Sequence, residues 1–236
     1  MKNLNVKIYF IEELLGSCPQ DQDIYRDYIA SKAIDAPSVQ DEVNLLGPDE
    51  VAKKGTTIFL KRSKTGCPTL SSHTWLGFFK EKVKYLRQAD DSICKKFTAY
   101  KGKIDGNFYI KEKYTDLILP EGAEIGLCER ALRANTPQGP IVSLASSETC
   151  PAGTMTSFTL IIDTDEFVKY AIECLDKGFF NGHGQWRSGG KGRFVYELVD
   201  DEGVVIGGNT KSIIGAKSTD EDWNDKLKAF IDARSL

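Results

Sequence analysis

Histidines and paired cysteines are scarce in this sequence. It holds only two histidines, His73 and His183, and its six cysteines are scattered with no CxxC pair among them. A structural zinc site needs four clustered thiolate or imidazole ligands, and no such cluster occurs in the sequence. We therefore expect no metal site and no other cofactor, and reduced structural thiols rather than a disulfide framework.

Long apolar runs are missing as well. No stretch approaches the roughly 18 apolar residues of a membrane helix, and residues 1–16, MKNLNVKIYFIEELLG, lack the pattern of a secretory signal. We expect a cytoplasmic protein with no membrane partner. The 236 residues suffice for one large domain or two small ones, and we predict a single domain over residues 1–236.

The net charge is only −3, but the charged residues are unevenly distributed along the sequence. Residues 1–50 carry 10 acidic and 4 basic side chains, whereas residues 80–114 carry 10 basic and 5 acidic ones. Residues 177–193 add four cations and no acid. A polyanion would bind where the two basic segments meet. The acidic residues at about 35–55 are predicted to form a surface excursion.

Hydrophobic periodicity predicts strands and helices in alternation. Helical spacing is clearest over residues 75–86 and 165–177, and two further helices are predicted over residues 24–33 and 220–233. Strand patterns occur over residues 6–11, 56–61, 152–162, 193–199 and 204–207, with shorter ones over 108–110, 117–119, 126–132 and 141–146. The order favours an α+β, ferredoxin-like (RRM-like) core with a β-rich insertion at about 97–150, rather than a doubly wound sheet.

Glycine is concentrated in residues 178–194, GFFNGHGQWRSGGKGRF, where six glycines alternate with cations and aromatic rings. The segment leads from a helix into a strand, whereas a P-loop or a dinucleotide-binding turn leads from a strand into a helix. ATP and NAD sites are therefore disfavoured. Because glycine lets the backbone approach a ligand closely, we predict a loop that binds phosphates and bases. A glycine-rich β-loop without a ligand is the alternative.

Side chains in two segments are candidates for nucleic-acid contacts. Arg187, Lys191 and Arg193 would hold phosphates, Trp186 would stack on a base, and Gly189, Gly190 and Gly192 would admit the ligand. Arg130 and Arg133, three residues apart among small side chains, would extend this track. The structural alternatives are a partly buried ring for Trp186, a salt bridge for Arg193, and ion pairs with Glu124 or Glu129 for Arg130 and Arg133.

Several segments resemble the RAMP superfamily, the repeat-associated mysterious proteins of CRISPR–Cas systems. They are Pro151–Thr154 with Phe158–Ile162, the loop over 182–194, Pro68–His73, Gly77–Lys80, and Arg130–Ala134. The resemblance implies a ferredoxin-like core with a C-terminal glycine-rich loop. It also implies that Lys80 contacts the ligand and that Arg130–Ala134 lies in an RNA-facing hairpin. Compact phage-encoded relatives of the backbone subunits are the members it resembles most.

The resemblance implies a function as well. RAMP proteins bind single-stranded RNA as subunits of a ribonucleoprotein, so the expected partners are single-stranded RNA or another nucleic acid, further copies of the chain, or CRISPR-type protein subunits. We predict a non-catalytic binder. One alternative is a metal-free endoribonuclease with His73 or His183 as the general base. The other is an interaction protein that mimics or blocks a CRISPR complex.

Overall fold

The computed structural model describes residues 1–19, 56–136 and 139–209. The predicted helices over 24–33 and 220–233 and the acidic excursion at 35–55 lie outside these ranges. The strands are β1 Lys2–Phe10, β2 Leu14–Leu15, β3 Cys18–Pro19, β4 Thr57–Ile58, β5 Leu60–Lys61, β6 Pro68–Ser71, β7 Phe108–Ile110, β8 Tyr114–Asp116, β9 Gly126–Thr136, β10 Gly139–Cys150, β11 Met155–Ile162, β12 Phe194–Val199 and β13 Val205–Gly208. The α-helices are α1 Ser72–Leu86, α2 Tyr100–Asn107 and α3 Val168–Asn181.

The principal sheet has five strands in the order β13-β12-β1-β11-β7, and each strand runs antiparallel to its neighbours. Its central strands, β1 and β11, pair from Lys2↔Ile162 to Tyr9↔Met155. Alternate side chains of β1 are buried, which is the pattern of a strand with one face on the core. The fold is α+β, as the sequence predicts.

Helix α1 supplies much of the core that packs on this sheet. The predicted apolar face is confirmed: Trp75, Phe78, Phe79, Val83 and Leu86 are all buried. The Trp75 ring lies 4.6 Å from the Phe158 ring of β11, and its indole N–H donates to the Thr115 hydroxyl at 3.2 Å. Burial of each such side chain stabilises the fold by about 1.5–3 kcal/mol.

The described residues also form two separate sheets. One has the order β2-β10-β4-β3, with β9 on the outer side of β10, and the other has the order β5-β6-β8. The β9–β10 ladder is long, running from Gly139↔Thr136 to Thr149↔Gly126. Because Leu14 of β2 pairs with Cys150, the base of this hairpin lies close to the end of β1.

Several predicted boundaries differ from the observed ones. Strand β1 begins at Lys2 rather than at residue 6, the predicted strand over 56–61 is divided into β4 and β5, and β8 precedes the predicted strand over 117–119. Helix α2 lies within the segment predicted to be β-rich. Its sequence, YKGKIDGN, has two glycines and one buried apolar residue, Ile104, so it carries no helical periodicity. None of the helices in the described ranges is long and apolar enough to span a bilayer.

Helix α3 is longer than predicted, and the glycine loop is shorter. The sequence places Gly178 in the loop, but the helix continues through it to Asn181. A Cβ on Gly178 would overlap the ring of Phe194, so this glycine allows β12 to pack against the helix. The loop between α3 and β12 therefore spans residues 182–193, which we call the glycine loop.

Candidate nucleic-acid interface

The glycine loop packs tightly against the segment that follows β1. The Gly192 N–H donates to the Glu13 carbonyl at 2.7 Å, and the His183 N–H donates to the Gly192 carbonyl at 2.8 Å. Gly192 has φ +69°, and a Cβ there would overlap the His183 carbonyl oxygen. At Gly182 a Cβ would lie 2.5 Å from the backbone of Gly192. These two glycines are needed for backbone packing within the loop.

Gly189 and Gly190, the other two glycines predicted to admit the ligand, lie at the tip of the loop. Gly189 is next to Trp186, and a Cβ on it would lie 2.7 Å from the indole. Gly190 has φ +82° with open space around it. Gly189 thus makes room for the tryptophan ring, and Gly190 supplies a left-handed turn.

Trp186 and Arg130 come together at this tip. Trp186 is 41% exposed and has left-handed backbone angles, φ 50° and ψ 40°, which is rare for a bulky residue. The Arg130 guanidinium, on β9, lies 5.2 Å from the centre of its ring. Arg130 also donates from Nη2 to Gln185 Oε1 at 3.0 Å, while its buried Nη1 has no hydrogen-bond partner among the described residues. The fold therefore forms a stacked cation and an exposed aromatic ring on one surface.

Two of the predicted phosphate contacts in the loop are paired with carboxylates. Arg187 donates from Nη2 to Glu81 Oε1 at 2.6 Å, and Lys191 donates to Glu13 Oε2 at 2.6 Å. The hydrogen bond to Glu13 raises the pKa of Lys191. The fold therefore brings a carboxylate to each of these cations, from α1 in one case and from the segment that follows β1 in the other.

Two further candidates lie in different surroundings. Lys80 forms an ion pair with Asp105 of α2, so it too has a carboxylate partner. The backbone of Arg133 lies in β9, opposite Val142 of β10. The predicted salt-bridge alternatives for Arg130, with Glu124 or Glu129, are not what the structure shows, because its guanidinium contacts Gln185 and Trp186.

Arg193 has no carboxylate partner among the described residues. Its Nε donates to the Phe179 carbonyl at 2.8 Å, and its guanidinium lies 5.1 Å from the centre of the Phe179 ring. The alternative of a salt bridge at this position is therefore not seen within the described ranges. Arg193 closes the glycine loop against the last turn of α3 while it keeps an unneutralised charge.

His183 is a core residue. It is 4% exposed, and its ring stacks on Trp75 with centroids 4.2 Å apart. Burial, with a smaller effect of the nearby cations of Lys82 and Arg187, lowers the pKa of His183 to about 3. An enclosed ring that stacks on Trp75 of α1 does not favour the candidate role of His183 as a general base.

His73 has different surroundings. It is exposed in the first turn of α1, and its Nδ1 lies 2.8 Å from the Ser71 hydroxyl. A cavity of about 280 Å³ opens beside it, lined in part by Cys18, Phe59 and Thr74. Within the described ranges no group of three His, Cys, Asp or Glu side chains is placed to hold a metal ion.

Lys82 is a residue whose position the sequence analysis missed. The side chain is fully buried, and its ammonium donates to the carbonyl and to Oδ1 of Asn181, the latter at 2.8 Å. Desolvation lowers the pKa of Lys82 to about 8, against a smaller opposing effect of Glu81. A signal was present, because residue 82 falls on the apolar face that Trp75, Phe78, Phe79, Val83 and Leu86 define.

Comparison with known proteins gives likenesses in structure only. No family model matches the chain, and no curated protein matches its sequence. A chain in the cryo-EM structure of the Type III-B Cmr-beta bound to cognate target RNA is similar, with a TM-score of 0.48 and 8% identity. That match covers 84% of this chain and 61% of the Cmr-beta chain, so this chain spans about three fifths of its length. A chain of a Type IV-B CRISPR complex has a TM-score of 0.42 and 11% identity, with coverage of 84% and 90%. Both likenesses concern backbone shape.

Proposed function

We propose that this protein binds single-stranded nucleic acid, RNA in preference to DNA, without catalysing a reaction. The observation that carries the proposal is the exposed Trp186 ring with the Arg130 guanidinium against it. Single-stranded nucleic acids are held by aromatic faces that stack on bases and by cations that contact phosphates. The tip of the glycine loop presents both.

Two features favour binding over a purely structural role for this pair. A left-handed backbone at Trp186 costs about 1–2 kcal/mol, and such strain is concentrated at functional sites. Nη1 of Arg130 is a buried donor without an acceptor among the described residues, which is also costly. A phosphate oxygen that reached Nη1 would supply the missing acceptor.

The other cations of the glycine loop would contribute less to binding than Trp186 and Arg130. Arg193 is free of carboxylates among the described residues and would contact a phosphate directly. Arg187 and Lys191 would first have to exchange Glu81 and Glu13 for a phosphate. We expect their contribution to binding to be reduced by that exchange.

We propose further that the chain is one RAMP-type domain with a ferredoxin-like core. The elements β1, α1, β7, β11, α3 and β12 follow one another along the chain, and their strands lie in the order β12-β1-β11-β7, all antiparallel. This order is the one expected of the split βαβ arrangement of that fold, and it supports the proposal. In this proposal the chain is a compact, phage-encoded form that joins CRISPR-type subunits or further copies of itself.

The test is titration of fluorescein-labelled 12-nucleotide oligouridine and oligodeoxythymidine at several salt concentrations, followed by anisotropy. Trp186→Leu and Arg130→Gln should each weaken oligouridine binding by about tenfold, since loss of one stacked base costs about 1–3 kcal/mol. Lys95→Gln removes an exposed cation far along the chain from the glycine loop and should bind like the wild type.

Two outcomes would overturn the proposal. If the wild type binds neither oligonucleotide, the alternative of a protein that acts through protein partners is favoured. Cleavage of oligouridine to 2′,3′-cyclic phosphate ends, lost in His73→Ala, would instead identify an endoribonuclease. His73 is the histidine to test because it is exposed beside a cavity.

A further inference from the structure

The last turn of α3 exposes an aromatic ring that makes no contribution to the core. Phe180 is 68% exposed and meets Phe179 edge to face, with centroids 5.1 Å apart. A single exposed ring is ordinary on a protein surface. Each ring of this pair has a cation near it: the Lys177 ammonium lies 5.7 Å from the Phe180 centroid, and the Arg193 guanidinium lies 5.1 Å from the Phe179 centroid. We call these four residues the phenylalanine ledge.

The charges on the ledge are free of carboxylates among the described residues. Lys177 and Arg193 form no ion pair there, in contrast to Arg187 and Lys191 of the glycine loop. The neighbouring acid, Asp176, accepts a hydrogen bond from the Tyr196 hydroxyl at 2.8 Å, so it is directed towards β12. Two cations without a carboxylate partner among the described residues therefore lie beside this pair of rings, of which Phe180 is exposed.

Chemistry of this kind suits a nucleotide better than a protein partner. The apolar surface is one phenyl ring, well below the several hundred Å² of a typical protein-binding patch. A base can stack on a single aromatic face whatever its sequence, and its flanking phosphates need the cations. Arg193 joins the ledge to the glycine loop, because it belongs to the loop and bonds to the Phe179 carbonyl.

We propose that the phenylalanine ledge is a second base-stacking position, with a base on Phe180 and the adjoining phosphates on Lys177 and Arg193. This inference rests on the proposed function and extends its site from the tip of the glycine loop to the end of α3. The strand would then contact both Trp186 and Phe180. Neither Phe180 nor Lys177 is among the residues that the sequence analysis selected.

The variants for the test are Phe180→Leu, which keeps an apolar side chain but removes the aromatic face, and Phe180→Tyr, which keeps the face. Both should melt like the wild type, because the ring is exposed. With 12-nucleotide oligouridine as the probe, Phe180→Leu should bind about 5- to 10-fold more weakly, whereas Phe180→Tyr should bind like the wild type. Lys177→Gln should weaken binding and reduce its salt dependence, and Lys169→Gln, on the first turn of the same helix, should change neither.

The outcomes separate this inference from the proposed function. Wild-type binding that Phe180→Leu leaves unchanged would overturn the ledge alone. No wild-type binding would overturn both. If Phe180→Leu instead altered the oligomeric state, measured by light scattering, with oligouridine affinity unchanged, the ledge would be a protein contact and the proposal would be wrong.

Discussion

The buried ammonium of Lys82 gives the sharpest test of the structure, through the variant Lys82→Met. The side chain has no exposed surface, and its pKa is lowered from 10.5 to about 8, chiefly by desolvation. At about 1.4 kcal/mol for each pH unit, the difference between these values corresponds to about 3 kcal/mol in the free energy of unfolding. Methionine has a similar length and does not titrate; it also removes the hydrogen bonds to Asn181, so the pH-dependent part of the difference is the part that reports on the charge.

The sign of the effect follows from proton binding in the two states. Below pH 8 Lys82 is charged in both the folded and the unfolded chain, and the full cost of burying the charge is present. Between pH 8 and 10.5 the unfolded chain binds more protons than the folded one, so stability rises with pH. Above pH 10.5 both states are neutral, and the cost is gone.

The assay is urea unfolding of the wild type and of Lys82→Met at pH 7, 9 and 11. The free energy of unfolding of the wild type minus that of the variant should increase by about 3 kcal/mol over this range. Taking the difference cancels the titration of other groups. Lys84→Met, at an exposed position of the same helix, is the matched control and should show no such increase. A difference that is flat or falls with pH would refute the burial of a charged Lys82.

Three further predictions concern the glycine loop. Because burial holds the pKa of His183 near 3, against 6.5 in the unfolded chain, the wild type should lose about 4 kcal/mol more stability than His183→Gln as the pH falls from 7 to 3. Parallel pH profiles of the two proteins in urea unfolding would contradict this. Gly192→Ala should lower the melting temperature far more than Gly190→Ala. Both glycines have positive φ, but only a Cβ on Gly192 would meet a backbone oxygen. Equal decreases in melting temperature would show that the loop packs differently. Glu13→Gln should remove the ion-pair partner of Lys191 and so tighten oligouridine binding. The slope of the logarithm of the binding constant against the logarithm of the salt concentration should steepen by about 0.7. An unchanged slope would exclude Lys191 as a phosphate contact.

Local patterns in the sequence were sufficient for much of the fold. The apolar spacing from Trp75 to Leu86 predicts α1, and its buried face is confirmed, although the helix begins three residues earlier, at Ser72. The strand patterns over residues 152–162 and 193–199 were equally informative, since they correspond to β11 and β12. These signals succeed because helical and strand periods are expressed by residues a few positions apart. Helix α2 lacked such a signal, since its glycines interrupt the period.

The sequence by itself determined the residue types of the site: a loop rich in glycine, cations and one tryptophan. Only the tertiary structure decided which of them are available to a ligand. It pairs Arg187 with Glu81 and Lys191 with Glu13, buries His183 on Trp75, and brings Arg130 to Trp186. Each of these outcomes joins residues far apart in the chain. Burial and charge pairing depend on such long-range contacts, so no local pattern could have predicted them.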